Sequence, residues 1–272
     1  MINFPVNDFA SFAKEIRSQT LDMVYKAKAS HIGGAFSMAD ILAVLYGGVL
    51  NIDPANPSLD DRDRFYLSKG HACTSLYATL ALRGFFSTEL LSTYTKDNSL
   101  FLAHTSHKIP GVEFSAGSLG HALSVACGIA YAGKLKKTSW RVYALLSDGE
   151  LDEGSNWEAI LFAPAHKLYN LTLIIDYNKI QSLGTVKEVL DLHPLNDKFA
   201  AFGWNVVEID GHDVNEIEEA FDTAKVFTEK PTVIIAHTIK GKGVDFMEDK
   251  LLWHYKSPTE EQYSNAKNQI IK

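Results

Sequence analysis

Residues 142–181 read VYALLSDGELDEGSNWEAILFAPAHKLYNLTLIIDYNKIQ, two apolar runs that each end in a cluster of small polar residues. The first run closes in Ser147-Asp148-Gly149, and the second, some thirty positions on, in Asp176-Tyr177-Asn178. Continuous apolar runs of this length fit strands with both faces covered, and the intervening residues, near 155–168, have helical spacing. Strand, helix, strand is a crossover unit, and a crossover makes its two strands parallel.

The same alternation continues outward. Strands are expected at about 141–146, 171–176, 204–209 and 232–238, with helices near 155–168, 194–202 and 213–228 between them, an α/β pattern with a mostly parallel sheet and helices on both faces. Upstream, apolar spacing predicts one helix from about Asp8 to Ala29 and another from Met38 to Leu50 with Ser37 as its cap. After the Pro- and Asp-rich stretch NIDPANPSLDDRDR, RFYLSK reads as a strand, HACTSLYATLALR as a helix, and STELLSTY as a short helix capped by Ser87. A further helix is expected at 118–132, and a terminal one starting at the Ser257-Pro258 pair. Periodicity disappears between Thr95 and Gly117, and so long a loop in a compact domain usually carries or covers a site.

Composition narrows the class. The 272 residues suffice for one large α/β domain, read here as a single domain over 1–272, and 46% hydrophobic with 22% charged residues is ordinary for a globular chain. A net charge of −7 with scattered lysines and arginines excludes a nucleic-acid-binding stripe. The N-terminal MINFPVNDFASFAKEIR lacks a basic segment followed by an apolar core, and no window of about eighteen apolar residues could span a bilayer. The expected location is cytoplasmic. Cys73 and Cys127, each among small apolar residues, read as buried thiols of a reducing compartment.

The carboxyl ends of parallel strands line one edge, where ligands sit. Asp148 and Asn178 lie just past two such ends, and if the strands are neighbours their side chains converge, since paired strands run about 5 Å apart. A carboxylate and an amide oxygen are hard ligands of the kind Mg²⁺ prefers, and Gly149 would let a phosphate approach the backbone. Turn chemistry explains each cluster alone. It explains less well the pair of them at the ends of successive strands. No Gly-rich loop ends in Gly-Lys-Ser/Thr and no G-x-G-x-x-G follows a strand; the glycines of KGKGVDF fit neither pattern.

Asp148-Gly149 followed by Asn178 in YNKIQ resembles the thiamine diphosphate and magnesium motif of thiamine-dependent enzymes. The stretches SHIGGAFSMADILAVLY (30–46), DRFYLSKGHACTSLYA (63–78), PGVEFSAGSLGHALSVACGIA (110–130), KPTVIIAHTIKGKGVDFMED (230–249) and LLWHYKSP (251–258) resemble transketolases in the family's order. The resemblance covers nearly the whole chain. It implies the diphosphate-binding (PP) fold, with Asp148, Asn178 and the Ile180 carbonyl on Mg²⁺ or another divalent cation such as Ca²⁺ or Mn²⁺. Gly149 and Glu150 would lie at the cofactor's diphosphate, and backbone groups of Gly117 and Leu119 would hold the aminopyrimidine. His71 and His254 are expected near the diphosphate and substrate, His31 at the reacting oxygens of the donor sugar, and His104 as the loop histidine, with His107 its competitor. Glu153 matches an acidic residue used across the dimer interface. Histidines suit the movement of hydroxyl protons near neutral pH.

Several positions depart from the family pattern. Ser147 stands where Gly is usual, Tyr255 replaces the Gly after His254, and Pro164 is expected to kink the crossover helix. The family's glutamate that activates the aminopyrimidine, and its phosphate-binding arginines, belong to domains beyond the part matched here. The expectation is therefore the N-terminal subunit of a split transketolase. It would transfer a two-carbon ketol unit from a ketose to an aldose only with a C-terminal subunit carrying the pyrimidine-binding domain, as a heterotetramer of two of each chain. Helices 38–50 and 118–132 are candidate contact surfaces. Competing readings are a transketolase-like enzyme with a different donor or acceptor, the alpha subunit of a 2-oxo acid dehydrogenase, and a noncatalytic cofactor-binding homologue. The histidines at 31, 71 and 254 weigh against the last two.

Overall fold

Apolar alternation decides where the core sits. In the computed structural model, which describes residues 8–271, five parallel strands form one sheet in the order β1-β2-β3-β5-β4. They are β1 (Arg64–Leu67), β2 (Val142–Ser147), β3 (Leu171–Tyr177), β4 (Asn205–Asp210) and β5 (Thr232–His237). Val142, Ala144 and Leu146 of β2 face one buried cluster, and Tyr143 and Leu145 face another. Both sides of the central strands are therefore covered, which is why their sequences are continuously apolar.

On one side lie α1 (Phe9–Ala27), α3 (Ala39–Val44), α4 (Cys73–Leu82) and α9 (Val214–Val226), with the short α2 (Ile32–Ser37) leading into α3. The other side carries α5 (Ala122–Lys136), α6 (Gly154–Ala165) and α8 (Leu195–Ala201), and the single turn α7 (Val186–Val189) precedes α8. The last helix, α10 (Glu260–Ile271), packs Ala266 and Ile270 against Leu21 and Val24 of α1. The α/β architecture with a parallel sheet and helices on both faces is the one the sequence leads to. The MINFPVN segment and Lys272, on which the leader and terminal-helix readings partly rest, lie outside the described residues.

Four local readings are corrected. The expected 38–50 helix is present but changes winding: α3 begins at Ala39, one residue after the expected start, and runs at Leu45 into a π turn over Leu45–Val49 that contains the Gly47-Gly48 pair. Ser37 caps nothing, because its hydroxyl donates instead to Asp176 Oδ2 at 2.6 Å. The expected 118–132 helix begins only at Ala122, since the residues before it are held in a loop against the turn after β2. At the C-terminus the cap is Thr259, which exchanges backbone and side-chain bonds with Gln262, while Ser257 Oγ donates to the Val24 carbonyl. Pro164 falls in the last turn of α6, one residue from its end. The Ile160 carbonyl that it leaves free accepts Trp204 Nε1 at 2.8 Å, so the lost helical bond is replaced.

Candidate active site

Register brings the two polar clusters together. Ser147 pairs with Asp176 across β2 and β3, so Asp148 and Asn178 leave the same edge of adjacent strands. Asp148 Oδ1 accepts the Gly149 N–H at 2.7 Å and Oδ2 the Lys179 N–H at 2.5 Å, which ties the turn after β2 to the turn after β3. Asn178 Oδ1 faces the Ile180 N–H at 3.2 Å. The Ile180 carbonyl accepts Lys240 Nζ at 2.9 Å. A Cβ on residue 149 would meet Gln181 Cγ at 2.9 Å, so Gly149 permits the close packing of these turns. Its N–H is committed to Asp148.

These oxygens line a cavity of about 230 Å³ together with His31, Gly34, Lys69, His71, His104, Leu119, Gly149, Gln181, Ser182 and His254. The structure thus assembles Asp148, Asn178, Ile180, Gly149, Leu119 and four of the candidate histidines. His104 is the loop histidine in the cavity, whereas His107 lies outside it with Nδ1 2.8 Å from Ser115 Oγ. Gly117 and Glu150 are not in the lining. Glu150 is fully buried behind the cavity wall, where it accepts Ser68 Oγ and the Gly120 N–H. Glu153 is exposed at the start of α6.

The rings of His31, His71 and His254 lie 5.0 to 5.7 Å apart. His31 adopts a left-handed backbone conformation, φ 71°, at the N-terminus of α2, and its N–H bonds the His254 carbonyl at 3.0 Å. Burial, reinforced by neighbouring histidines and lysines, pushes all three imidazoles below their ordinary value, His254 to about 3. They are neutral at pH 7. Burial also brings Lys240 down to about 8, which leaves it mostly an ammonium at pH 7. An ammonium only donates, so at 3.1 Å the His254 Nδ1 accepts from Lys240 and its proton sits on Nε2.

The donor chemistry fits a hard cation. Asp148 is pushed up to about 6, chiefly by burial and next by the Asp176 carboxylate, an arrangement that a bound cation relieves. Carboxylate, amide and carbonyl oxygens are the set that Mg²⁺, Ca²⁺ or Mn²⁺ prefers, and a three-oxygen face leaves positions for phosphate and water. Among the described residues no cluster of three His, Cys, Asp or Glu side chains offers a softer alternative.

Sequence reasoning passed over three residues. Lys240 lies in the KGKG stretch that fits no phosphate motif, yet its side chain bridges Ile180 and His254. Asp176 is the first residue of Asp-Tyr-Asn; it is fully buried and accepts Lys69 Nζ, Ser37 Oγ and Thr238 Oγ1. Burial alone would raise Asp176, but Lys69 and the hydroxyls outweigh it and hold the carboxyl below its ordinary range. Lys69 precedes Gly70-His71 and passes under the cavity, where Nζ also donates to the Gly34 carbonyl at 2.7 Å. Tyr255, the replacement for glycine, touches two residues of the cavity wall: its hydroxyl donates to the Ser182 carbonyl and its ring lies 5.0 Å from that of His254.

A family model described as "Transketolase, thiamine diphosphate binding domain" matches residues 9–270. The chain belongs to the transketolase family. Residues 9–270 are its thiamine diphosphate-binding domain. The chain is 41% identical over 254 residues to a component chain of the apulose-4-phosphate transketolase of Phocaeicola vulgatus, covering 93% of this chain and 90% of that one. It is equally similar, 41% over 266 residues and 97% of both chains, to a 6-deoxy-6-sulfo-D-fructose transketolase subunit of a Clostridium species. Human transketolase is 40% identical over 90% of this chain but 39% of its own length. The transketolase structure from Campylobacter jejuni superposes with a TM-score of 0.91 at 34% identity, over 98% of this chain and 43% of that one. The chain therefore has the length of the bacterial transketolase subunits and spans under half of the long transketolases.

Proposed function

We propose that this chain is the cofactor-binding subunit of a two-chain transketolase, which transfers a two-carbon ketol unit from a ketose donor to an aldose acceptor. The observation that carries the reading is one cavity in which Asp148, Asn178 and the Ile180 carbonyl meet His31, His71, His104 and His254. Subunit naming among the similar chains supports dependence on a second polypeptide.

Thiamine diphosphate, when bound, supplies the electron sink that the transfer of an acyl-anion equivalent requires. Asp148, Asn178 and the Ile180 carbonyl would hold Mg²⁺, or Ca²⁺ or Mn²⁺ in its place, at the diphosphate. Lys240, which donates to the Ile180 carbonyl and lines the same cavity, would offset diphosphate charge. Backbone groups of Leu119, in the cavity lining, and of Gly117, two residues before it, would hold the aminopyrimidine. The neutral imidazoles of His31, His71 and His254 each offer one N–H and one lone pair, so they orient donor hydroxyls and take or return their protons without first losing a charge. His254 presents Nε2–H, and His104 closes the same cavity from the 95–117 loop.

The partner is a chain with a pyrimidine-binding domain, joined as two of each in a heterotetramer. A cytoplasmic location accords with two buried unpaired thiols, and no helix among the described residues is long and apolar enough to cross a membrane. A transketolase-like enzyme of a specialised pathway, with a different donor or acceptor, is the second reading. It is favoured by Tyr255, which contacts the cavity-lining Ser182 and His254, and by the specialised sugars in the names of similar subunits.

Calorimetry tests the cofactor assignment. Thiamine diphosphate is expected to bind in the presence of Mg²⁺ and not after chelation or in Asp148→Ala; binding that ignores the cation would contradict it.

A further inference from the structure

The two cofactor-facing segments of this chain are far apart in sequence, and Glu150 joins them. Residue 150 lies one position beyond Gly149, in the turn Gly149–Asp152, with no exposed surface. Its Oε1 accepts the Gly120 N–H at 2.8 Å and the Ser68 hydroxyl. Its own carbonyl accepts Asn156 Nδ2 at 2.6 Å, so the turn itself is anchored to α6. Gly120 is held at its other backbone group as well: its carbonyl accepts Ser155 Oγ at 2.8 Å. A side chain at Gly120, whose φ is +84°, would strike Ser155 Oγ at 2.6 Å and Glu153 Cβ at 2.8 Å. The turn after Asp148 and the first turn of α6 therefore grip Gly120 at its N–H and its C=O respectively, and Leu119, the next residue back, lines the cavity.

The arrangement is a costly way to stabilise a fold. Glu150 Oε2 is buried without a hydrogen-bond partner among the described residues, so the desolvation of the carboxylate is offset only in part, by the bonds to Oε1 and by the nearby Ser147 N–H and Lys69 charge. The bonds to its Oε1 come from a hydroxyl and an amide rather than from a cationic side chain. What the carboxylate does supply is a strong, charge-assisted acceptor at one point shared by the Asp148 turn, the loop before α5 and the end of β1 that leads to Lys69 and His71.

We propose that Glu150 is a positioning residue that couples the two ends of the cofactor site: it sets the 117–120 loop, which faces the cofactor's aminopyrimidine head, in register with the Asp148 turn, which faces the diphosphate tail. This rests on the cofactor assignment above and goes beyond it, because Glu150 touches neither end itself.

The test uses the full chain with Glu150→Ala and Glu150→Gln, and compares calorimetric affinity for thiamine diphosphate plus Mg²⁺ with that for inorganic pyrophosphate plus Mg²⁺. Glu150→Ala should weaken thiamine diphosphate at least tenfold and leave pyrophosphate within twofold, whereas Glu150→Gln, whose amide oxygen still accepts both bonds, should stay within threefold for both ligands. Equal losses for the two ligands, or no loss for either, would overturn the coupling. Amide exchange at Gly120, followed without ligand, reads the tie independently of the cofactor: at least tenfold faster in Glu150→Ala and unchanged in Glu150→Gln supports it, and unchanged in both overturns it. If the wild-type chain binds neither ligand, the cofactor assignment and the head-to-tail role fall together, while the exchange result still decides the tie. Should Glu150→Ala fail to fold, Ser155→Ala frees the Gly120 carbonyl and is expected to show the same selective loss at threefold or more; its absence would overturn the proposal.

Discussion

Asp148 accepts the main-chain N–H of Lys179 at 2.5 Å, so the polar turns after β2 and β3 are already joined by the carboxylate that faces the cavity. An amide oxygen can accept the same bond, but it brings no charge. Asp148→Asn removes a buried carboxylate that its surroundings push up to about 6, but its single amide oxygen can serve only one of the two N–H groups, of Gly149 and Lys179, that Asp148 accepts; the two effects oppose, and stability is expected to stay within about 2 kcal/mol of wild type. The same variant should lose at least about a hundredfold in Mg²⁺-dependent thiamine diphosphate affinity, since the hard anionic ligand is gone. Thermal unfolding without ligand and calorimetry with it check the two halves separately.

The ion pair between Lys69 and Asp176 lies beneath the cavity with almost no exposed surface. Asp176→Ala strands a buried ammonium, a change that costs about 3–5 kcal/mol. Denaturant unfolding should show that loss, and Ser37→Ala, which removes one neutral donor to the same carboxylate, should cost about 1 kcal/mol.

A second buried carboxylate sets the acid limit. Burial alone would raise Asp40, but Arg17 at 2.5 Å and His212 at 2.7 Å outweigh it and hold the carboxyl at about 2, against an ordinary value of 3.8. A depressed folded pKa contributes stability that is complete above the unfolded value and is lost as pH falls toward the folded one. The contribution is about 2 kcal/mol. Stability should therefore decline from near pH 4 toward pH 2, and Asp40→Asn should flatten that part of the pH profile while lowering stability at neutral pH. An unchanged slope in the variant would assign the acid limit to other groups.

Tyr255 holds the Gln181–Gly184 turn through the Ser182 carbonyl, yet 55% of its surface is exposed. Tyr255→Phe should speed amide exchange in that turn and change global stability by no more than about 1 kcal/mol. Exchange confined to wild-type rates would show that Lys240, acting on Ile180, suffices to hold the turn.

How much of this was legible in the sequence depends on the range of the cause. The strands VYALL and LTLII could be read because burial of both faces leaves a continuous apolar signature, and their polar ends could be paired because parallel register follows from a crossover. The change from α to π winding at Leu45 was not legible, because apolar spacing continues through it. Ser37 looked like a cap because local chemistry favours that role, but a carboxylate 139 residues away claims its hydroxyl. Lys240 was hidden for the same reason: a lysine in a glycine-rich stretch gives no sign that Ile180 and His254, 60 and 14 residues distant, converge on its ammonium. The choice between His104 and His107 needed the course of the 95–117 loop, which has no periodicity to read.

The most direct test of the central claim is ketol transfer by this chain with and without a second chain that carries a pyrimidine-binding domain. Thiamine diphosphate and Mg²⁺ are present throughout, and the donors are a panel of ketoses that includes specialised sugars. Transfer of a two-carbon unit by the pair, its loss in Asn178→Ala, and little or none by this chain alone is the expected result. Robust transfer by this chain alone, or a pair that binds the cofactor and transfers from no donor, would contradict it.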